Sequence, residues 1–111
     1  MQTLLEGGWT MKYSFEHCIY ELDTLPGCTQ IAISHGMFIL PEHRGKGLNK
    51  VYLNKREEHA KSLGYDVILA TVEAANIKEI KTLLNAGWYK HLIFNSKKTG
   101  NNVAMLSKIL K

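Results

Sequence analysis

The sequence predicts a mixed α/β fold in a single domain, with elements in the order β-β-α-β-α-β-β. Three observations predict it. Two stretches, over 47–63 and 76–86, place apolar residues at helical spacing and end at a glycine. Runs rich in strand-forming residues stand before, between and after them. A chain of 111 residues has room for one hydrophobic core, so these elements must share it.

Residues 1–15 read as a frayed end or a poor strand, because Gly7-Gly8 breaks any helix starting at Thr3. His17 to Leu22 is a short strand ended by the turn residues 23–27. Gln30 to Leu40 is a longer strand interrupted at Ser34-His35-Gly36, where glycine marks a bulge or a close backbone approach, and Pro41 stops it. The helix over 47–63 puts Leu48, Val51, Tyr52, Ala60 and Leu63 on its apolar face. Lys50, Lys55, Arg56, Glu57, Glu58 and Lys61 form a solvated face, with Glu57 and Lys61 as an i,i+4 pair. Asp66 to Val72 is nearly continuous in apolar residues, the pattern of a strand buried on both faces. Asn76 caps the second helix with Glu79 three residues on, Ile77, Ile80, Leu83 and Leu84 form its core stripe, and Gly87 ends it. Trp88 to Phe94 and Val103 to Ile109 close the chain as a hairpin.

Composition excludes several classes. Hydrophobic residues make up 45% and charged residues 22%, which is ordinary for a globular protein and wrong for a coiled coil, collagen or a disordered tail. No window approaches the ~18 apolar residues of a membrane span. The first residues have neither a basic region nor an apolar one of signal-peptide length, so a reducing cytoplasm with Cys18 and Cys28 as free thiols is the expected setting. Their spacing to His17 and His35 fits no zinc template, and no metal is expected. The net charge of +4 is lopsided: residues 1–40 carry one Lys and four acids, whereas residues 41–111 carry thirteen Lys or Arg and six acids. Such a distribution points to an anionic ligand on the C-terminal part. The aromatics are scattered without a nucleic-acid-binding signature, so a nucleic-acid partner is not expected.

The segment from Met37 to Lys50 holds the chemistry. A strand ends, a basic glycine-rich loop follows, and a helix begins directly behind it. Unpaired N–H groups and the helix dipole favour an anion there. Gly45 and Gly47 let a ligand approach the backbone, and Arg44 and Lys46 add positive charge. The loop fits neither G-x4-G-K-[ST], since Leu48 follows Gly47, nor G-x-G-x-x-G, since Lys50 takes the last position. The plain alternative is a basic turn that merely joins strand to helix.

Arg44-Gly-Lys-Gly47 behind a strand ending in Ile-Leu-Pro resembles motif A of the GNAT-type N-acetyltransferases, [QR]-x-x-G-x-[GA]. Asn76 to Trp88 resembles that family's second signature, an Asn opening a helix and Gly-aromatic closing it. The resemblance covers roughly 31–110 and implies a GNAT-like mixed sheet with splayed central strands. It implies acetyl-CoA as donor: backbone groups of Phe38, Ile39 and Leu40 would pair with the pantetheine arm. Amides of Arg44, Gly45, Lys46, Gly47, Leu48 and Asn49 would hold the pyrophosphate, and Asn76 would reach the pantetheine from the far side. It further implies an N-acetyltransferase acting on an amine of a small molecule or protein, and it leaves a homodimer open.

Three departures stand out. Asn49 replaces the small last residue of motif A. Leu83 replaces the Tyr that many members use as general acid. Only forty residues precede Pro41, fewer than the family's usual strand, two helices and two further strands. Acetyl transfer needs a neutral amine and hence a base. His35, on the strand beside the slot, and Glu73, at the end of the next strand, are the candidates, with a strand His and an exposed strand-end carboxylate as their plain alternatives. Glu42 and His43 read as solvated, and Tyr89, behind the second helix, is a stand-in for the missing Tyr. The runner-up function is a catalytically weak or inactive GNAT-fold module that binds CoA or a protein partner.

Overall fold

The computed structural model describes residues 2–5, 8–15, 18–45 and 47–111, with side chains described at all of these except 2–5, 8–12, 15 and 36–39. The elements are β1 (Gln2–Leu5), β2 (Gly8–Phe15), β3 (Cys18–Leu25), β4 (Cys28–Ile39), a 3-10 turn (Pro41–His43), α1 (Leu48–Ser62), β5 (Val67–Glu73), α2 (Ile77–Asn85), β6 (Tyr89–Asn95) and β7 (Asn102–Ile109). They form a seven-stranded mixed sheet in the order β1-β2-β3-β4-β5-β7-β6.

The first four strands are sequential hairpins, and β4 is joined to β5 in parallel through α1. A second crossover, through α2, carries the chain from β5 past β7 to β6. The N-terminal segment is thus a two-stranded hairpin where the sequence suggested a frayed end or a poor strand. The six-pair register of β2 with β3 supplies partners that local propensity does not reveal. Likewise β3 runs through Asp23, Thr24 and Leu25, so the turn contracts to Pro26–Gly27. The bulge expected near Gly36 is present as a register shift: Ile19 pairs with Phe38 but Glu21 with His35, leaving an extra residue in β4.

Both helices cover one face of the sheet. That face contributes Leu22, Ala32, Ile68, Ala104 and Leu106, which meet Tyr52, Leu53 and Ala60 of α1 and Ile80 and Leu83 of α2 in one buried cluster. On the opposite face Val67 and Leu69 are half-buried and Thr71 is exposed, so β5 is buried on one face rather than two. The helix stripes are narrower than their spacing suggested. Val51, Leu63, Ile77 and Leu84 are exposed.

The solvated face expected of α1 is corrected at two positions. Arg56 and Glu57 are buried, while Lys50, Lys55, Glu58 and Lys61 are exposed. Glu57 does not pair with Lys61. Its carboxylate accepts from Trp88 Nε1 at 2.9 Å and from Lys108 Nζ at 2.6 Å, and that ammonium also donates to the Ala86 carbonyl at 2.7 Å. One buried carboxylate therefore ties α1 to β7 and to the end of α2, with its charge and lone pairs satisfied.

Candidate active site

The sheet opens at its centre. β4 and β5 pair from Ile31–Val67 to Ser34–Ala70 and no further. Beyond that point β4 stays with β3 as far as Ile39, and β5 stays with β7 as far as Glu73. Two parallel strands that keep their outer partners and lose each other leave a gap between them. A cavity of about 300 Å³ lies there. His35, Thr71 and Glu73 line it on the open face of the sheet; Ser34, Arg56 and Leu83 line it on the helix face, and Asn76 and Glu79 stand at the start of α2.

The structure brings His35, Glu73 and Asn76 into this one cavity. His35 is not free, however. Its Nε2 lies 2.6 Å from Asp23 Oδ2 and its Nδ1 3.2 Å from Glu21 Oε2, so both ring nitrogens face carboxylates of β3. A neutral imidazole carries one N–H and satisfies only one such contact. Glu73 is less committed: Oε1 accepts from Asn101 Nδ2 at 3.4 Å, and Oε2 has no partner among the described residues. Asn76 caps α2 as expected, its Oδ1 accepting from the Glu79 amide at 3.2 Å, which leaves its Nδ2 for another acceptor.

The anion loop follows β4 directly. Leu40 and the 3-10 turn lead to Gly45 (φ 75°) and Gly47 (φ 71°), and α1 starts with Gly47 as an N-cap that offers no side chain. Both glycines are in the left-handed region that disfavours other residues. A Cβ at either would meet nothing within 4 Å, so their role within the protein is conformational. Among the described residues the amides of Gly45, Gly47, Leu48 and Asn49 have no backbone acceptor, and α1 adds its dipole behind them. The residue assigned to Lys46 lies outside those described, as do the side chains of Phe38 and Ile39.

Sequence reasoning missed three parts of the site. Glu21 and Asp23 contact His35 because β3 pairs with β4 in this register, and nothing local announces that. Arg56 was assigned to solvent. It is 5% exposed, donates from Nη1 to Ser34 Oγ at 2.7 Å, and its Nε is buried without a partner among the described residues. Burial works against its charge, an effect that Glu79, then Cys18 and Glu57, partly offset. The remaining candidates stand apart. Tyr89 is 66% exposed and stacks edge-on with His91, so it does not replace the missing Tyr. Cys18 is buried, and desolvation pushes its thiol pKa up despite the nearby Arg56 charge, the reverse of an activated nucleophile. No group of potential metal ligands occurs among the described residues.

A sequence profile of the acetyltransferase (GNAT) family matches residues 12–88. The chain belongs to the GNAT acetyltransferase family. No curated protein matches the sequence. Among solved structures, this GNAT domain is similar in fold to the spermidine/spermine N-acetyltransferase SpeG from Vibrio cholerae. TM-score is 0.74 at 16% identity, over 94% of this chain and 66% of that one. It is equally similar to an IAA acetyltransferase from Bacillus cereus, with TM-score 0.74 and 16% identity over 95% of this chain and 79% of that one. SpeG is described as dodecameric in another of the matching structures. At such identity the likeness establishes the GNAT fold, and the splayed β4–β5 pair is where its cavity lies.

Proposed function

We propose that this GNAT domain transfers an acetyl group from acetyl-CoA to an amine. The observation that carries the reading is the alignment of two features: the open gap between β4 and β5, and the amides at the start of α1 immediately beyond it, which have no backbone acceptor among the described residues. Gly45, Gly47, Leu48 and Asn49, with Arg44 and Lys46, would hold the pyrophosphate. The backbone of Phe38, Ile39 and Leu40 would pair with the amides of the pantetheine arm, and the free Nδ2 of Asn76 would donate from the other wall. Acetyl-CoA supplies the activated acyl group.

The chain's own residues then account for the acceptor. Glu73 in the cavity, with Glu21 and Asp23 against His35 on the same face, adds negative charge that favours a cationic amine, and spermidine as the acceptor of SpeG is in keeping with that. Glu73 Oε2 is the free acceptor for the amine proton. His35 already has Asp23 and Glu21 at its two ring nitrogens, so the role of base is assigned to Glu73. Incubation with acetyl-CoA and a panel of amines, with release of free thiol as readout, tests the reading. Thiol release that depends on the amine supports it, and none with any amine rejects turnover. The second reading, a module that binds CoA without turnover, rests on Leu83, an apolar and fully buried residue where a Tyr would donate a proton.

A further inference from the structure

Arg56 is the feature the proposed function leaves unused. Its guanidinium is buried, carries a full charge at neutral pH, and lies on the wall of the cavity. Among the described residues no carboxylate comes within ion-pairing distance of it. Of its five N–H donors one meets Ser34 Oγ, itself buried, and Nε has no acceptor among the described residues. Glu57, the next residue, shows the contrast: it is buried to the same degree and fully partnered. A buried cation left in this state is costly, and an apolar residue of similar size would pack the same space at no such cost. The planar fork of a guanidinium matches one partner best, a carboxylate held by two parallel hydrogen bonds.

We propose that Arg56 is the binding group for a carboxylate that enters the cavity with one of the two substrates. The carboxylate comes either from an acyl chain with a terminal carboxyl group or from an amino-acid-like acceptor. Ser34 holds Nη1, Nε is enclosed, and Nη2 is left to the ligand, with the second N–H of Nη1 beside it. Glu73, on the open-face side of the same cavity, repels a carboxylate there and so favours the Arg56 side, while Glu79 at the start of α2 offsets part of the Arg56 charge. The anion loop is a separate feature beyond the end of β4. The inference rests on the acetyltransferase reading only in naming which substrates bring the carboxylate.

Two arms separate the sources. In the donor arm, binding of succinyl-CoA is compared with binding of butyryl-CoA by calorimetry. In the acceptor arm, thiol release from acetyl-CoA is compared between amino acids and their amides. One arm is expected to favour the carboxylate by about 10-fold or more, the scale of a charge-assisted hydrogen-bond pair. The Arg56→Met variant is expected to lose that preference while melting at or above the wild-type temperature, because it removes a buried charge that no ion pair holds and nearby acids offset only in part. A role confined to structure would instead lower the melting temperature and leave the preference intact. Should the methionine variant not fold, Arg56→Lys reads the same quantity, with the preference reduced several-fold for a point charge and an unchanged preference overturning the assignment. If no CoA thioester binds, the acetyltransferase reading fails on its own, and direct titration of the protein with glutamate against its diamide decides the carboxylate site. Equal affinity for charged and neutral partners in every arm overturns it.

Discussion

Leu83 is 1% exposed, packs in the core cluster and also lines the cavity, so its side chain lies between folding and chemistry. Leu83→Tyr adds bulk to a filled position, at a cost of about 1–3 kcal/mol. Its hydroxyl, however, has the cavity to enter. General acid catalysis contributes typically ~10²–10⁴-fold, so a rise in thiol release is expected together with the lowered melting temperature. Lost stability with no transfer in either protein favours the non-catalytic reading. His59 is a second informative residue. Burial lowers its pKa below the ordinary value of 6.5, and its Nδ1 lies 2.6 Å from the Tyr20 hydroxyl. The folded state therefore prefers the neutral ring, and the unfolded state binds the proton more readily. This contribution is present above about pH 6.5 and is lost as pH falls through the depressed folded value. Urea midpoints measured from pH 7.5 down to about 5 should fall less steeply in His59→Phe than in the wild type.

At the scale of elements, α1 carries the most consequence. Its start carries amides with no backbone acceptor among the described residues, and its middle holds the Glu57 cluster. Glu57→Leu leaves the Lys108 ammonium facing only the Ala86 carbonyl and Trp88 Nε1 without its acceptor. A loss of about 3 kcal/mol is expected, recovered in large part by adding Lys108→Met. Denaturant titration of the two variants checks this. Charges in a helix sequence suggested solvent because spacing records only which residues share a side. Which side faces the sheet, and whether an acid meets a lysine from a strand fifty-one residues away, is decided by tertiary pairing. The glycine-rich loop, by contrast, was legible: Gly45 and Gly47 stand where positive φ is required, and the helix starts behind them. Asn76 was legible for the same reason, a local cap with a local partner.

For the molecule as a whole, five strands and both helices could be read from periodicity and turn residues. The β1–β2 hairpin could not, because its evidence is pairing with β3 rather than any pattern of its own. The candidate site divides in the same way. His35 and Glu73 could be placed beside the gap from strand order, but Glu21, Asp23 and Arg56 arrive from register and packing. The central claim is that the gap and the loop together form a CoA site. The most direct test is thermal unfolding with and without CoA, in the wild type and in Gly47→Glu, which sets a carboxylate and a strained backbone at the start of α1. At 100 times its dissociation constant, CoA should add about 2.7 kcal/mol to the wild type and nothing to the variant. A wild-type melting temperature that does not move in millimolar CoA would contradict the claim.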